Sequence, residues 1–520
     1  MAYAEKLAYL YAERCDYEIR KLRGQFFTPL QVSWHMAGLF NLEGKDNVRL
    51  LDPGAGTGIL SAAVCERVLS LNHPVHLTID AYENDPALLP LLEQVLTICQ
   101  KYMSEHGHRI DYHIYEQDFI LHNQRFFQGN GLLQTTQKKV FYDYIISNPP
   151  YYKINKDSPH AAAMRALISG QPNIYALFMA MAAAMLKNQG EMVFITPRSF
   201  CSGLYYKRFR KWFLNKVTIE LIHIFESRRR VFYKDKVLQE NVILKARAAK
   251  ENRIPEKVKI SACQDITYAD LRSLEVEAKD VFFYKNGDLF VRIPTSIMEI
   301  AIQRLVDTWP QTLHKLGLEI STGPVVAFRC KEHLLADLRD SRKEAPLLWM
   351  HNIRHRTVEW PYRKNGKPTA IRICPETRAM LLPVKNYVLV KRFSSKEQKR
   401  RLYSSVLLKS EFPFEVIGLE NHLNYIHRPK GDLTEYEAIG IAALLNTALI
   451  DKFFRTLNGN TQVNAEDLRC LPLPAMGDII SIGKRVAKLR GVENGIAIDR
   501  IVAEVLRIDM GIIRALYRKE

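Results

Sequence analysis

The eleven residues LLDPGAGTGIL, Leu50 to Leu60, constrain the fold of this chain more than any other stretch. They run from an apolar strand through an acidic residue and a three-glycine turn into an apolar helix. Gly54, Gly56 and Gly58 permit a tight turn and let a ligand approach the main chain closely. In a dinucleotide-binding fold such a turn faces a pyrophosphate at the helix N-terminus. Here Asp52 ends the strand just before the glycines, where a phosphate would be repelled. A ligand with a cationic amino group suits that position, such as the methionine portion of S-adenosylmethionine.

Around this loop, short apolar runs alternate with helical periodicity, the pattern of an α/β sheet layered by helices. Strands are predicted at Val48–Leu51, Leu77–Tyr82, Asp111–Glu116, Tyr142–Ser147, Glu191–Thr196, Glu220–Phe225 and Asn241–Lys245. Helices are predicted at Ile59–Ser70, Ala87–Tyr102 and, wholly apolar, Ile174–Leu186. The rhythm breaks at KARAAKENRIPEKVK, which reads as a linker. Residues 1–248 are therefore expected to form a catalytic domain, 255–475 a second domain and 476–520 a helical segment.

Two carboxylates sit at the ends of the next strands. Glu83 in YENDP is placed to accept from both hydroxyls of a ribose, and Asp118 in EQDF to accept from the cofactor's adenine amino group, with Phe119 beside it. After the fourth strand comes SNPPYY. An exocyclic amino group of a base is a poor nucleophile because its lone pair is delocalised into the ring. The side-chain carbonyl of Asn148 and the backbone carbonyl of Pro149 would accept its two N–H bonds and stabilise the positive charge of the transfer. Pro149 and Pro150 stiffen the turn, and Tyr151 would offer a flat face to an extruded base.

Charge is distributed unevenly. The total of +18 comes from residues 1–190 with 17 basic and 18 acidic side chains, and residues 191–520 with 57 and 38. Either the back half meets a polyanion, or its basic surface serves solubility. Arg354, Arg356, Arg363 and Lys364 surround Trp360 and Tyr362, while Lys391, Arg392, Lys396, Lys399, Arg400 and Arg401 follow Tyr387. Arg354, Arg356, Lys391, Arg392, Lys399 and Arg400 are the candidate DNA contacts. Eight cysteines without a CxxC pair suggest neither zinc nor disulfides, and no metal is expected. A start without a signal-peptide core and apolar runs too short for a membrane point to the cytoplasm and to no membrane partner.

In motif order and content the sequence resembles the gamma class of amino-methyltransferases, the TaqI-like adenine enzymes of restriction–modification systems. GQFFTP (Gly24 to Pro29) is similar to the motif that caps the cofactor, which implies that Thr28 contacts the methionine carboxylate. LLDPGAGTG, ENDP, QDF, NPPY and GEMVFITP follow in the family's order. RRRVFYKDKVLQENVIL resembles a later motif whose phenylalanine stacks on the flipped base, which maps onto Phe232, with Phe225 as a nearby alternative. The resemblance covers residues 15–245 with specific motifs and continues more weakly through the C-terminal part. It implies a Rossmann-like S-adenosylmethionine-dependent methyltransferase sheet, a C-terminal mixed α/β target-recognition domain, double-stranded DNA as substrate, N6 of adenine as acceptor and a cognate restriction endonuclease as partner.

Three other readings stand beside it. NPPY-type motifs also occur in protein-glutamine and rRNA-guanine methyltransferases, although those usually lack a large basic domain and a GQFFTP motif. EVEAK, with Glu277 and Lys279, and Asp265 upstream resemble half of a nuclease site. A catalytically silent DNA-binding subunit is opposed by the intact Asn148–Tyr151 motif.

Overall fold

A computed structural model describes all residues except 128–138, 172, 227–239, 250–254, 286, 355–356, 363–365, 395–397, 459–461, 490–494 and 518–520. The chain divides into two compact units, Met1–Thr295 and Ser296–Glu520.

The strands of the first unit's main sheet are β1 (Asn47–Pro53), β2 (His76–Tyr82), β3 (Arg109–Tyr115), β4 (Tyr142–Ser147), β5 (Leu186–Pro197), β6 (Val217–Phe225), β7 (Asn241–Ala248), β8 (Lys257–Cys263) and β9 (Arg272–Glu277). Their order is β3-β2-β1-β4-β5-β7-β6-β8-β9. Neighbours from β3 to β5 run parallel, and β7 is antiparallel to both β5 and β6. This is the Rossmann-like sheet expected from the sequence. Central strands such as β1 and β4 are buried along most of their length, which is why they read as continuous apolar runs rather than alternating ones. Strand order reverses between β1 and β4, and a crevice at such a switch point is where open α/β sheets bind ligands.

The helices of this unit that concern the site are α1 (Ala2–Arg14), α2 (Tyr17–Arg23), α3 (Leu30–Gly38), α4 (Ile59–Leu69), α5 (Leu89–Glu105), α6 (Phe119–His122), α7 (Pro159–Ala163) and α8 (Ile174–Ala184). Ten of the eleven residues of α8 are buried, the consequence of a helix that is apolar all round. Gly58 begins α4 at φ 81°, and a Cβ there would lie 2.8 Å from Leu92 Cδ1 of α5. The third glycine of the loop thus serves helix packing and does not line the cavity described below.

The expected domain boundary moves. Strand β8 pairs in parallel with β6 and β9 pairs with β8, so residues beyond 255 extend the first sheet and the first unit ends at Thr295. Charged, proline-containing sequence at 245–259 concealed that continuation.

The second unit holds a four-stranded sheet and a five-stranded sheet. Leu348, Leu389, Leu407, Ile417, Leu419 and Leu423, drawn from strands of both, share one core. The helical end of the chain belongs to this unit rather than forming a separate segment. Helix Met476–Ala487 crosses helix Glu435–Leu445 so closely that a Cβ on Gly440 would lie 2.0 Å from Ile479 O, and one on Gly483 2.0 Å from Tyr436 O. No helix among the described residues is long and apolar enough to cross a membrane.

Candidate active site

A cavity of about 430 Å³ opens at the switch point, lined among others by Phe26, Phe27, Thr28, Gly54, Gly56, Glu83, Asp118, Phe119, Asn148, Pro150, Tyr152 and Phe178. Its volume lies in the range of small-molecule sites, roughly 300–1,000 Å³. The glycine loop is moored by the amides of Gly54 and Ala55, which donate to Tyr82 O at 2.9 Å each. Gly54 sits at φ 78°, and a Cβ there would enter the gap between Phe178, Pro150 and the Asn148 carbonyl. Gly56, at φ 57°, faces the Phe27 ring. Both glycines leave bare backbone toward the cavity, a cradle that side chains would fill.

Asp52 does not line this cavity, contrary to the expectation that it meets a cationic ligand. It is fully buried, and its Oδ2 accepts from the Ser61 amide at 3.2 Å and hydroxyl at 2.7 Å. An acid on β1 thereby caps the first turn of α4, where a negative charge is favoured by the helix dipole. Burial pushes its carboxyl up to about 7, against the two Ser61 hydrogen bonds.

Glu83 and Asp118 do line the cavity. Glu83 accepts from the amides of Gly56, Asn84 and Asp85 at 2.8–2.9 Å, so it shapes the glycine loop as well as facing it. Burial raises its carboxyl despite those three donors. Asp118 accepts from the Ile120 and Leu121 amides through one oxygen and from His160 Nε2 at 2.8 Å through the other. Burial works to raise its carboxyl, but the His160 bond and the backbone donors prevail and hold it below the usual range.

The Asn-Pro-Pro turn follows β4, whose Ser147 hydroxyl donates to Pro53 O at 2.6 Å and ties it to β1. Asn148 Nδ2 donates to Phe26 O at 2.7 Å and to Thr28 Oγ1 at 3.0 Å. These bonds define the amide's orientation and reserve Oδ1 as the acceptor. GQFFTP reaches the turn through Gly24, whose carbonyl accepts from the Tyr151 amide at 3.2 Å. Gly24 ends α2 at φ 65°, and a Cβ there would lie 2.5 Å from Tyr151 N.

Tyr151 offers no open stacking face in this structure, which corrects the sequence expectation. Its side chain is buried, and its hydroxyl lies 2.7 Å from Asn148 Oδ1 and 2.8 Å from Ile195 O, which share its one proton. Its ring meets Tyr175 edge-on. Of the two adjacent tyrosines it is the second, Tyr152, that lines the cavity.

Sequence reasoning missed His160, Phe178 and Asp85. His160 is 42 residues from its partner Asp118, with no local pattern to announce it. Phe178 is hidden in the uniformly apolar α8. Asp85 had a signal, its place in ENDP. Its Oδ2 accepts from Tyr11 at 2.8 Å, Arg23 at 2.6 Å and Gln25 at 2.9 Å, which brings the N-terminal helices onto the cavity rim.

Phe232 and Arg356 lie outside the described residues, as do Arg363, Lys364 and Lys396. Phe225 is buried against His223 and Tyr268. Glu277 and Lys279 form an exposed ion pair at 2.6 Å. Of the basic candidates, Lys399 is exposed, Lys391 lies over the Tyr403 ring, Arg392 donates to Asn421 O and Arg354 pairs with Glu359. Arg400 departs from the expectation of a surface contact. It bonds Asn446 O and faces Asp499 at 3.9 Å, with only 13% of its side chain exposed. Arg401 is buried against Ser394 O and Asn458.

A sheet ordered 3-2-1-4-5-7-6 with an antiparallel seventh strand, carrying a glycine loop and an Asn-Pro-Pro turn across its switch point, defines a methyltransferase of the Rossmann-like class. Residues 69–232 match the family described as Eco57I restriction-modification methylase. The chain is 37% identical over 495 residues to the Type II methyltransferase M.BsuBI of Bacillus subtilis, covering 94% of this chain and 95% of that one. It is 34% identical over 471 residues to the Type II methyltransferase M.PstI of Providencia stuartii, covering 91% and 90%. The chain belongs to the Type II methyltransferase family of restriction–modification systems. Among solved structures it is similar to the ATP-dependent Type ISP restriction-modification enzyme LlaBIII bound to DNA, with a TM-score of 0.47, 12% identity and coverage of 89% of this chain and 40% of that one.

Proposed function

We propose that the protein transfers a methyl group from S-adenosylmethionine to N6 of adenine in duplex DNA, as the modification enzyme of a restriction–modification pair. The observation that carries this reading is the placement of Asn148 on the wall of the glycine-loop cavity, with its amide oriented by Phe26 O and Thr28 Oγ1. A fixed carbonyl acceptor beside a cofactor cavity is what activation of an amide-like nitrogen requires.

The cavity's chemistry fits the donor. Its lining carries Glu83, Asp85 and Asp118, and its one arginine, Arg23, is paired with Asp85. That balance disfavours phosphates and suits a ligand with cationic groups. Glu83 would hold the ribose hydroxyls, Asp118 the adenine amino group, and Thr28 the methionine carboxylate. S-adenosylmethionine supplies an activated methyl group, and this chain's residues prepare its acceptor. Asn148 Oδ1 and Pro149 O accept the two N–H bonds of the target amine and stabilise the charge that builds on nitrogen. Asn148 Oδ1 has two lone pairs, so it can accept from the base while keeping the Tyr151 hydroxyl.

The test is incubation of the full chain with methyl-labelled S-adenosylmethionine and, separately, duplex DNA, RNA and a glutamine-bearing release-factor-like protein. Label in duplex DNA, recovered after digestion as N6-methyladenine, supports the proposal. Label confined to RNA or protein, or recovered on cytosine, overturns it.

A further inference from the structure

In the second unit, His333, Cys374 and Glu376, none of which lines the cavity, bring one ligand atom each to within 4.8 Å of one another. We propose that these three side chains form a binding site for a zinc-class divalent transition-metal ion, which clasps an edge strand to its sheet.

Geometry supports the pairing of sulfur with nitrogen. Ligands at the usual zinc distances, about 2.3 Å for thiolate and 2.0–2.1 Å for imidazole, lie roughly 3.6 Å apart in a tetrahedral shell. Cys374 Sγ and His333 Nδ1 are 3.7 Å apart, so an ion fits between them with almost no movement. Glu376 is exposed, and its carboxylate lies within 4.8 Å of both other ligand atoms, in reach of the same ion by a side-chain rotation. The fourth position is left to water.

A second observation is independent of the cluster's spacing. His333 turns Nδ1 to the sulfur while Nε2 lies 3.4 Å from the carboxylate of Glu332. Metal-bound histidines ordinarily give their other ring N–H to such an acceptor, which sets the tautomer that leaves the coordinating nitrogen free. The topology supplies the purpose. His333 immediately precedes the two-residue strand Leu334–Leu335, the edge of the sheet, and Cys374 follows its partner strand Ala370–Arg372. Two paired residues hold an edge weakly, and an ion across the end of that pair would pin it. On binding, the Cys374 thiol gives its proton to solvent as the thiolate–metal bond forms, and the imidazole and carboxylate coordinate through lone pairs without breaking a bond. The absence of any CxxC pair made this site invisible in sequence, because its ligands are 41 residues apart.

The experiment uses the full chain, stripped of metal with a chelator and titrated with Co²⁺ and then Zn²⁺ at neutral pH. The expected result is a thiolate-to-cobalt charge-transfer band that saturates at one ion per chain and is discharged by zinc. Cys374→Ser should remove the band, and Glu376→Gln should keep it with weaker binding. Glu332→Gln should weaken binding about 10- to 100-fold. Melting curves without metal confirm that each variant folds. Absence of the band in the folded wild-type chain, or an equal band in Cys374→Ser, overturns the proposal.

Discussion

Asn148 Nδ2 lies 3.0 Å from Thr28 Oγ1, across 120 residues of sequence, so the Asn148 amide is oriented by the segment expected to cap the cofactor. On the proposed function, cofactor capture and acceptor geometry would share one side chain. Asn148→Ala should abolish methyl transfer while leaving DNA and cofactor affinity within a few-fold, because the carbonyl acts chiefly on developing charge. Thr28→Val should lower kcat by about 10-fold, the worth of one orienting hydrogen bond, and also raise the cofactor Kd. Steady-state kinetics with separate cofactor titrations measure both. An unchanged kcat in Thr28→Val would detach that hydroxyl from the amide.

Gly24 presses on the same turn. With φ 65° and a Cβ that would fall 2.5 Å from Tyr151 N, Gly24→Ala meets both backbone strain and a clash. The left-handed conformation alone costs about 1–2 kcal/mol. A lower Tm with a larger fall in kcat than in cofactor affinity is expected.

Asp118 lines the cavity and is paired with His160, which stands behind it and outside the lining. Asp118→Asn and His160→Ala should each weaken cofactor binding, the first by about 10- to 100-fold through loss of a charge-assisted bond. The folded-state carboxyl of Asp118 is held below its unfolded value. Its contribution to stability is therefore present above the unfolded value and lost as pH falls through the folded one. Acid titration of Tm should show a smaller loss below about pH 4 in Asp118→Asn than in the wild type.

Asp52 has the opposite sign. Its folded carboxyl is raised to about 7, so the native state binds more protons than the unfolded chain between roughly pH 4 and pH 7. Stability should fall as pH rises through that window, by up to roughly 4 kcal/mol, because each tenfold change in proton affinity is worth about 1.36 kcal/mol. Asp52→Asn keeps an acceptor for Ser61 and should flatten that slope, with a higher Tm than wild type at pH 8. Chemical denaturation at pH 5 and pH 8 on cofactor-free protein reads the difference.

The contrast between Asp52 and Glu83 shows what sequence can and cannot convey. Both stand at strand ends, and both read as ligand carboxylates. Only the structure separates an acid turned under the loop onto Ser61 from one facing the cavity. The positions of the first strands, the glycine cradle and the Asn-Pro-Pro turn were legible because each depends on local chemistry within a few residues. His160 on Asp118 and Thr28 on Asn148 depend on chain segments 42 and 120 residues apart, and GQFFTP became informative only through its resemblance to a family motif. The continuation of the sheet into β8 and β9 was lost for a different reason. Strand β9 is the edge and is largely exposed, while β8 follows a charged stretch and carries Lys257, Lys259 and Ser261 among its apolar residues, so neither shows the apolar run that marked β1 and β4.

The last expectation concerns the basic cluster, in which the structure distinguishes neighbours that the sequence treats alike. Lys399 is exposed, and Lys391 reaches over Tyr403, whereas Arg400 is turned toward Asn446 and Asp499. If the second unit holds the duplex through phosphates, replacing Lys391 and Lys399 with Gln should weaken binding to specific and unrelated DNA alike. Each lost phosphate contact should flatten the plot of log affinity against log salt by about 0.9. Arg400→Ala should behave differently, because Asp499 is buried and loses a neighbouring cation. Removing one member of a buried ion pair leaves an uncompensated charge, so its cost should appear as a lower Tm with the salt slope intact. Cofactor affinity should be unchanged in all three single variants, since none of these residues lines the cavity. Filter binding across a salt series, run beside melting curves, separates the two behaviours. A slope unaltered by Lys391→Gln and Lys399→Gln would remove this cluster from the DNA interface while leaving the catalytic assignment, which rests on Asn148 and its surroundings, untouched.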